Sequence, residues 1–345
     1  MAQRDLPMAG GRGQNGGRPD QGAAVAHPRD AYRDVPILKR PTWGHEIAAY
    51  FFFGGISSGA AIIGSLASLA GGTRHTTLAR TAHYVSLAAL LPCPPLLIDD
   101  LGKPGRFHHM LRVIKPSSPM NLGAWALTAH GGMATLTVGH MLAKEGKLPL
   151  LGPLARLLPE RLLAAGALPS ALALGGYTGV LLGTSSIPVW YTSPLLGALF
   201  MASSVSTGTA AVSLVGAATG REDPSEPRQL AAFELTVAAT EASLLAGYLL
   251  TSGRAVRPLL RGRHRYLLAG AAGSLLLATL LQVVSLFGGP RGRGRAATLT
   301  ASGATLAAGA MLRWAIVWAG RASADDREGT LAAMSPSADA PGWGP

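Results

Sequence analysis

A single cysteine in 345 residues is the first limit on this chain. An iron–sulfur cluster takes about four thiolates, so the chain holds none of its own, and one thiol closes no internal disulfide. Cys93 lies in the apolar run Leu90-Leu-Pro-Cys-Pro-Pro-Leu-Leu and reads as a small buried packing residue. Charge is also scarce. Only 14% of residues are charged against 48% hydrophobic, with a mean hydropathy of +0.28, too apolar for an ordinary soluble domain. Acids are scarcer than bases, 18 against 30, for a net charge of +12. In a soluble protein that excess would suggest nucleic acid. Here the bases sit in tails and loops between apolar runs, where they act as topology signals and contacts for anionic headgroups, so no nucleic-acid partner is expected. Residues 1–42 contain no apolar stretch long enough for a secretory signal and read, like 321–345, as a Gly- and Arg-rich disordered tail.

What the chain has in quantity is hydrocarbon-length sequence. A helix needs about 20 mostly apolar residues to cross a bilayer, because every backbone group must be paired without water. Eight runs meet this, at 46–71, 79–99, 120–142, 170–188, 194–216, 229–251, 265–287 and 297–320. The expected fold is an all-α integral membrane protein. Laying the fifth run on the first at an offset of 149 residues aligns Gly208 with Gly59, Phe200 with Phe51 and Thr207 with Ser58. That pattern reads as a weak parallel repeat, with two four-helix bundles covering 43–188 and 189–320. The basic N-terminal tail resists translocation and an even number of crossings returns the chain, so both termini are expected in the cytoplasm, in a bacterial-type inner membrane.

Polar chemistry concentrates in 98–125, between the second and third runs. Asp99 and Asp100 end the second run, Lys103 and Arg106 follow, and Phe107, Met110, Leu111 and Ile114 recur at helical spacing as a short interfacial helix that also carries His108 and Arg112. Ser118 and Pro119 supply an N-cap and a first-turn proline for the third run. His45 opens the first run beside Trp43. If the first two runs are antiparallel neighbours, His45 and Asp100 meet at one depth, where an imidazole and a carboxyl group can hydrogen-bond the two oxygens of a quinone and exchange its protons. Deeper in the bilayer, Glu241 in the sixth run and Arg313 in the eighth suggest an ion pair, structural or part of a proton path, with His130 and Gln282 as further members. His83 and His140 lie near the outer ends of their runs, where two rings seldom converge on a haem. Neither haem nor any other metal site is expected. The same mid-membrane Glu241 and Arg313, with a parallel repeat, also admit a secondary transporter.

Four segments carry a resemblance: Trp43-Gly44-His45 followed by Phe-Phe-Gly-Gly-x-x-x-Gly; Asp100-Leu-Gly-Lys-Pro-Gly-Arg-Phe; Pro116-Ser-Ser-Pro-Met-Asn-Leu-Gly-Ala-Trp; and Tyr177-Thr-Gly-Val-Leu-Leu with Val189-Trp190 beyond it. In these the chain resembles the NrfD/polysulfide-reductase membrane-subunit family. The resemblance implies a haem-free quinone-reactive anchor that exchanges electrons and protons between menaquinone or ubiquinone and a four-cluster iron–sulfur subunit, itself serving a catalytic molybdopterin subunit. It implies quinone contacts at His45, Asp100 and Tyr177, near Trp43, and a docking surface at Lys103 and Arg106 that extends to His108 and Arg112. Alone, such an anchor performs no complete reaction.

Overall fold

The structure, a computed structural model, describes residues 37–71, 76–220, 226–287 and 294–334. Among these residues it is all helix and turn, with no strand. Most of the expected tails, 1–36 and 335–345, lies outside the described residues.

The helices in chain order are α1 (His45–Ala70), α2 (Thr76–Leu90), α3 (Cys93–Asp100), α4 (Pro119–Lys144), α5 (Gly152–Leu157), α6 (Glu160–Gly183), α7 (Pro188–Tyr191), α8 (Leu196–Thr219), α9 (Glu226–Thr251), α10 (His264–Phe287), α11 (Arg295–Asp325) and α12 (Arg327–Met334). Among the described residues, six segments are both long and apolar enough to cross a membrane: α1, α2 with α3, α6, Leu230–Thr251 of α9, α8 and α10. Helices α4 and α11 have the length, 26 and 31 residues, but are not among these six. Proline decides several boundaries. Pro92 interrupts the second run between α2 and α3, because a residue without N–H cannot continue the ladder. Pro169, by contrast, sits inside α6, as membrane helices tolerate. The fourth run therefore starts ten residues earlier than hydropathy alone suggested and ends at Gly183 rather than 188.

Helix α1 contacts α2, α3, α6, α8 and α11; α4 contacts α2 and α6; α8 contacts α9 and α11; α10 contacts α9 and α11. The closest approach is between α1 and α8. A Cβ on Gly59 would strike the Ser204 carbonyl oxygen, and one on Gly208 would strike the Gly59 backbone, so only glycine permits this crossing. Phe51 and Phe200 meet edge to face at 6.0 Å along the same seam. Short α7 is tucked inward: Trp190 Nε1 donates to the Ile316 carbonyl at 2.8 Å, Val189 N–H to the Ser323 hydroxyl at 3.2 Å, and the Tyr248 hydroxyl to the Val189 carbonyl at 2.6 Å.

Two parts of the expected tails are ordered. Residues 321–325 complete α11 and 327–334 form α12, with Asp326 between them. Residues 37–42 lie beside the end of α11, where Arg40 pairs with Asp325 at 2.6 Å and Arg321 donates to the carbonyls of Pro41 and Thr42. These contacts of chain ends with one another are invisible to composition.

Candidate functional site

At the end of the molecule where α3 stops and α4 starts, a cavity opens between α1, α3, α4 and α6. Trp43, Ile47 and Tyr50 form one wall, Leu97, Asp100 and Met110 a second, and Gly123 and Tyr177 a third. Two of the walls follow from helical spacing. Ile47 and Tyr50 fall on one face of α1, Leu97 and Asp100 are one turn apart on α3, and Trp43 reaches the cavity from the segment before α1. Ser118 caps α4 by accepting from Asn121 N–H at 3.4 Å, as the sequence suggested. Asn121 also ties down the preceding segment. Its side chain donates to the Met110 carbonyl at 2.6 Å and accepts from Lys115 N–H at 2.7 Å, which fixes Met110 over the cavity. That segment, Pro104–Leu111, is helical as expected, in the tighter 3₁₀ form.

The Tyr177 hydroxyl donates to the Pro119 carbonyl at 2.5 Å, and a side chain at position 123 would occupy the place of its ring. Glycine there is what lets the tyrosine lie across α4. Asp100 is half-buried at the cavity while Asp99 is exposed, and Trp43 stacks on Trp190 at 5.3 Å. The cavity itself measures about 30 Å³, room for a water molecule or two.

His45 is not part of this cavity. Its ring faces α11, with Nδ1 accepting from Trp314 Nε1 at 3.3 Å and the ring edge-on to Trp318 at 4.7 Å. The reason is geometric. At about 100° per residue, His45 lies roughly 200° around the helix from Ile47. It shares its face with Phe52, which also meets Trp314. The expected convergence of His45 with Asp100 is thus replaced by one of Asp100 with Tyr50 and Tyr177. Tyr50 was missed because it sits in an aromatic run that reads as core; its place one turn beyond Ile47 on α1 was the available signal.

Lys103, Arg106, His108 and Arg112 are all exposed on the segment bordering the cavity, with Val113 and Ile114 exposed beside them. Deeper in, Glu241 and Arg313 are buried but make no direct ion pair among the described residues. Arg313 is held by neutral acceptors: the Phe51 carbonyl at 3.0 Å, the Ser203 hydroxyl at 2.9 Å, the Gly309 carbonyl at 3.0 Å and the Ser204 hydroxyl at 3.2 Å. Glu241 reaches the hydroxyls of Ser203 and Ser206, so Ser203 stands between the two charges. About two turns back along α9, Glu234 accepts from Ser213 at 2.6 Å and from Gln282 at 3.1 Å. His130 lies elsewhere, on α4, where its Nε2 and the Ser57 hydroxyl are 2.9 Å apart and Ser86 is 3.4 Å from Ser57. Among the described residues, the nearby buried His83 leaves Nε2 without a partner, as His130 does Nδ1.

Comparison with known proteins places this geometry. Residues 38–324 match the family model described as polysulphide reductase, NrfD. The protein NrfD of Escherichia coli (strain K12) is 29% identical over 306 residues, 81% of this chain and 95% of that protein. One of the chains of the polysulfide reductase of Wolinella succinogenes is 31% identical over 183 residues, 50% of this chain and 58% of its own length. A putative membrane subunit of the dimethyl sulfoxide reductase of Halobacterium salinarum is 26% identical over 178 residues, 48% of this chain and 41% of its own. The family match runs through both the cavity and the buried polar groups, from the segment before α1 almost to the end of α11. The chain belongs to the polysulphide reductase NrfD family.

Proposed function

We propose that this chain is the quinone-reactive membrane anchor of a multi-subunit oxidoreductase. It passes electrons between menaquinone or ubiquinone and an iron–sulfur partner that serves a catalytic, molybdopterin-containing subunit. The observation that carries this reading is the convergence of Asp100 and Tyr177 on one cavity bordered by the exposed bases Lys103, Arg106, His108 and Arg112. Family membership supports it, as do the reductase chain and the membrane subunit named among its relatives.

In this reading the protein crosses the bilayer eight times in two four-helix bundles. The closed circuits of contact, α1 through α2 and α4 to α6 and α8 through α9 and α10 to α11, support that arrangement. The termini then share one side, which the basic N-terminal sequence favours as cytoplasmic. A quinone ring enters where Met110 and Met120 guard the cavity. At its present size the cavity needs those flexible side chains to turn outward. Tyr177, whose own proton is held by the Pro119 carbonyl, offers its phenolic oxygen as acceptor to one quinol hydroxyl. Asp100 takes the two quinol protons in turn, releasing the first to water at the rim before accepting the second as the two electrons leave to the partner, with the reverse order for quinone reduction. Trp43 packs against the ring. The bases bordering the cavity bring the partner's nearest cluster close by attracting an acidic surface. His45, turned toward α11, positions Trp314 and Trp318 rather than touching quinone.

Asp100→Asn and Tyr177→Phe, each in the assembled complex, are expected to lower quinol-linked turnover by about a hundredfold. Artificial-dye activity of the catalytic subunit should remain. Wild-type turnover in both variants would defeat the assignment.

A further inference from the structure

The opposite end of the same helices carries a second, larger cavity of about 940 Å³, between the start of α2, the end of α4 and the start of α6. Arg80, Lys144 and Lys147 line it with Glu145 and Glu160, leaving one net positive charge. Glu145 holds two of the bases in place, with Arg80 Nη2 at 2.6 Å and Lys147 Nζ at 2.7 Å from its two oxygens. Lys144, exposed on the same wall, belongs to no ion pair among the described residues. The hydroxyls of Thr77, Thr81 and Tyr84 complete the polar side, and Met141 and Leu142 supply an apolar floor.

We propose that this cavity binds the headgroup of a singly anionic glycerophospholipid, the phosphate lying between Arg80 and Lys144 and the glycerol over Met141 and Leu142. One net charge matches one phosphodiester, and the hydroxyls are donors that such an oxygen accepts from. The source of the phosphate is the bilayer, because the loop beside the cavity faces lipid. Leu150 is 94% exposed and Leu157 79% exposed, side chains that no aqueous surface favours. His140 Nε2, 3.1 Å from the Ala155 carbonyl and 2.8 Å from that of Leu158, pins this leucine-bearing loop to α4. The cavity mouth is therefore held at the level of the headgroups, where bases between helices collect anionic lipid.

The test is native mass spectrometry of the full chain, purified in mild detergent and titrated with phosphatidylglycerol or phosphatidylcholine. The wild type should retain phosphatidylglycerol preferentially, Lys144→Gln should weaken that retention about fivefold, and Lys144→Arg should keep it. Equal retention of the two lipids, or unchanged retention in Lys144→Gln, would overturn the site. Displacement of phosphatidylglycerol by millimolar inorganic phosphate would overturn the lipid as its occupant. Lys144→Arg also separates loss of binding from loss of folding.

Discussion

Arg313 brings a guanidinium into the interior and satisfies it without a carboxylate in contact. Three of its four hydrogen bonds join α11 to α1 and α8, the fourth staying within α11, and the guanidinium also lies 5.7 Å over the Phe200 ring. A planar fork with donors on three nitrogens is what this pattern needs, and an ammonium offers no equivalent. Arg313→Lys should cost about 2–3 kcal/mol, since hydrogen bonds to a charged group are each worth about 1.5–3. A thermal melt in detergent reads this, and an unchanged midpoint would mean that the bonds do not hold the three helices. With its donors engaged in this way, Arg313 offers little to a transported solute. The histidines behave differently: among the described residues His83 Nε2 and His130 Nδ1 are buried without a hydrogen-bond partner, His130 lying beside Ser57.

Among the elements, the crossing of α1 and α8 is the most exacting. Gly59→Ala puts a methyl group into the Ser204 carbonyl, and backbone cannot yield as a side-chain tip can. The expected loss is about 1–3 kcal/mol, again visible as a lowered melting midpoint, whereas Gly132→Ala on α4, which meets nothing within 4 Å, should leave it unchanged. This crossing was partly legible beforehand. The offset of 149 residues paired Gly59 with Gly208 and Phe51 with Phe200, and those pairs touch. Hydropathy located the long helices as well, because burial in lipid imposes a length that sequence must show. It could not show which face each helix turns inward, so His45 was grouped with Asp100 when periodicity from Ile47 put it on the other side. The cap after α4 has its own pH dependence. The Lys147 ammonium hydrogen-bonded to Glu145, aided by Arg80, holds that carboxyl below its ordinary 4.5. The folded form therefore binds fewer protons, and the contribution is full above 4.5 and fades as pH falls through the lowered value. Hydrogen exchange of 144–158 at about pH 6 and about pH 3.5, corrected for intrinsic rates, should show added opening in acid. Glu145→Gln should remove that difference between the two pH values.

At the scale of the molecule, the question is whether the two proposed bundles are held by the seam between them or by the chain that links them. Helix α8 contacts α1, α2 and α6, and α1 also contacts α11, so the seam is continuous along the first helix of each half. Between helices in lipid, attraction comes from close packing and hydrogen bonds, because hydrocarbon on hydrocarbon provides no driving force. The glycine crossing and the Arg313 bonds to Phe51, Ser203 and Ser204 supply both. The link at 184–187 includes exposed Thr184 and Ser186, and the fastened Trp190 lies beyond it in the second half. A chain divided between Ser185 and Ser186 should thus reassemble when the fragments 1–185 and 186–345 are coexpressed, a tag on one recovering the other from detergent. Gly59→Leu in the first fragment should abolish that recovery while each fragment still inserts. If the halves separate without the mutation, the covalent link is what keeps them together. If they stay together with it, the attraction lies elsewhere than at Gly59 and Gly208.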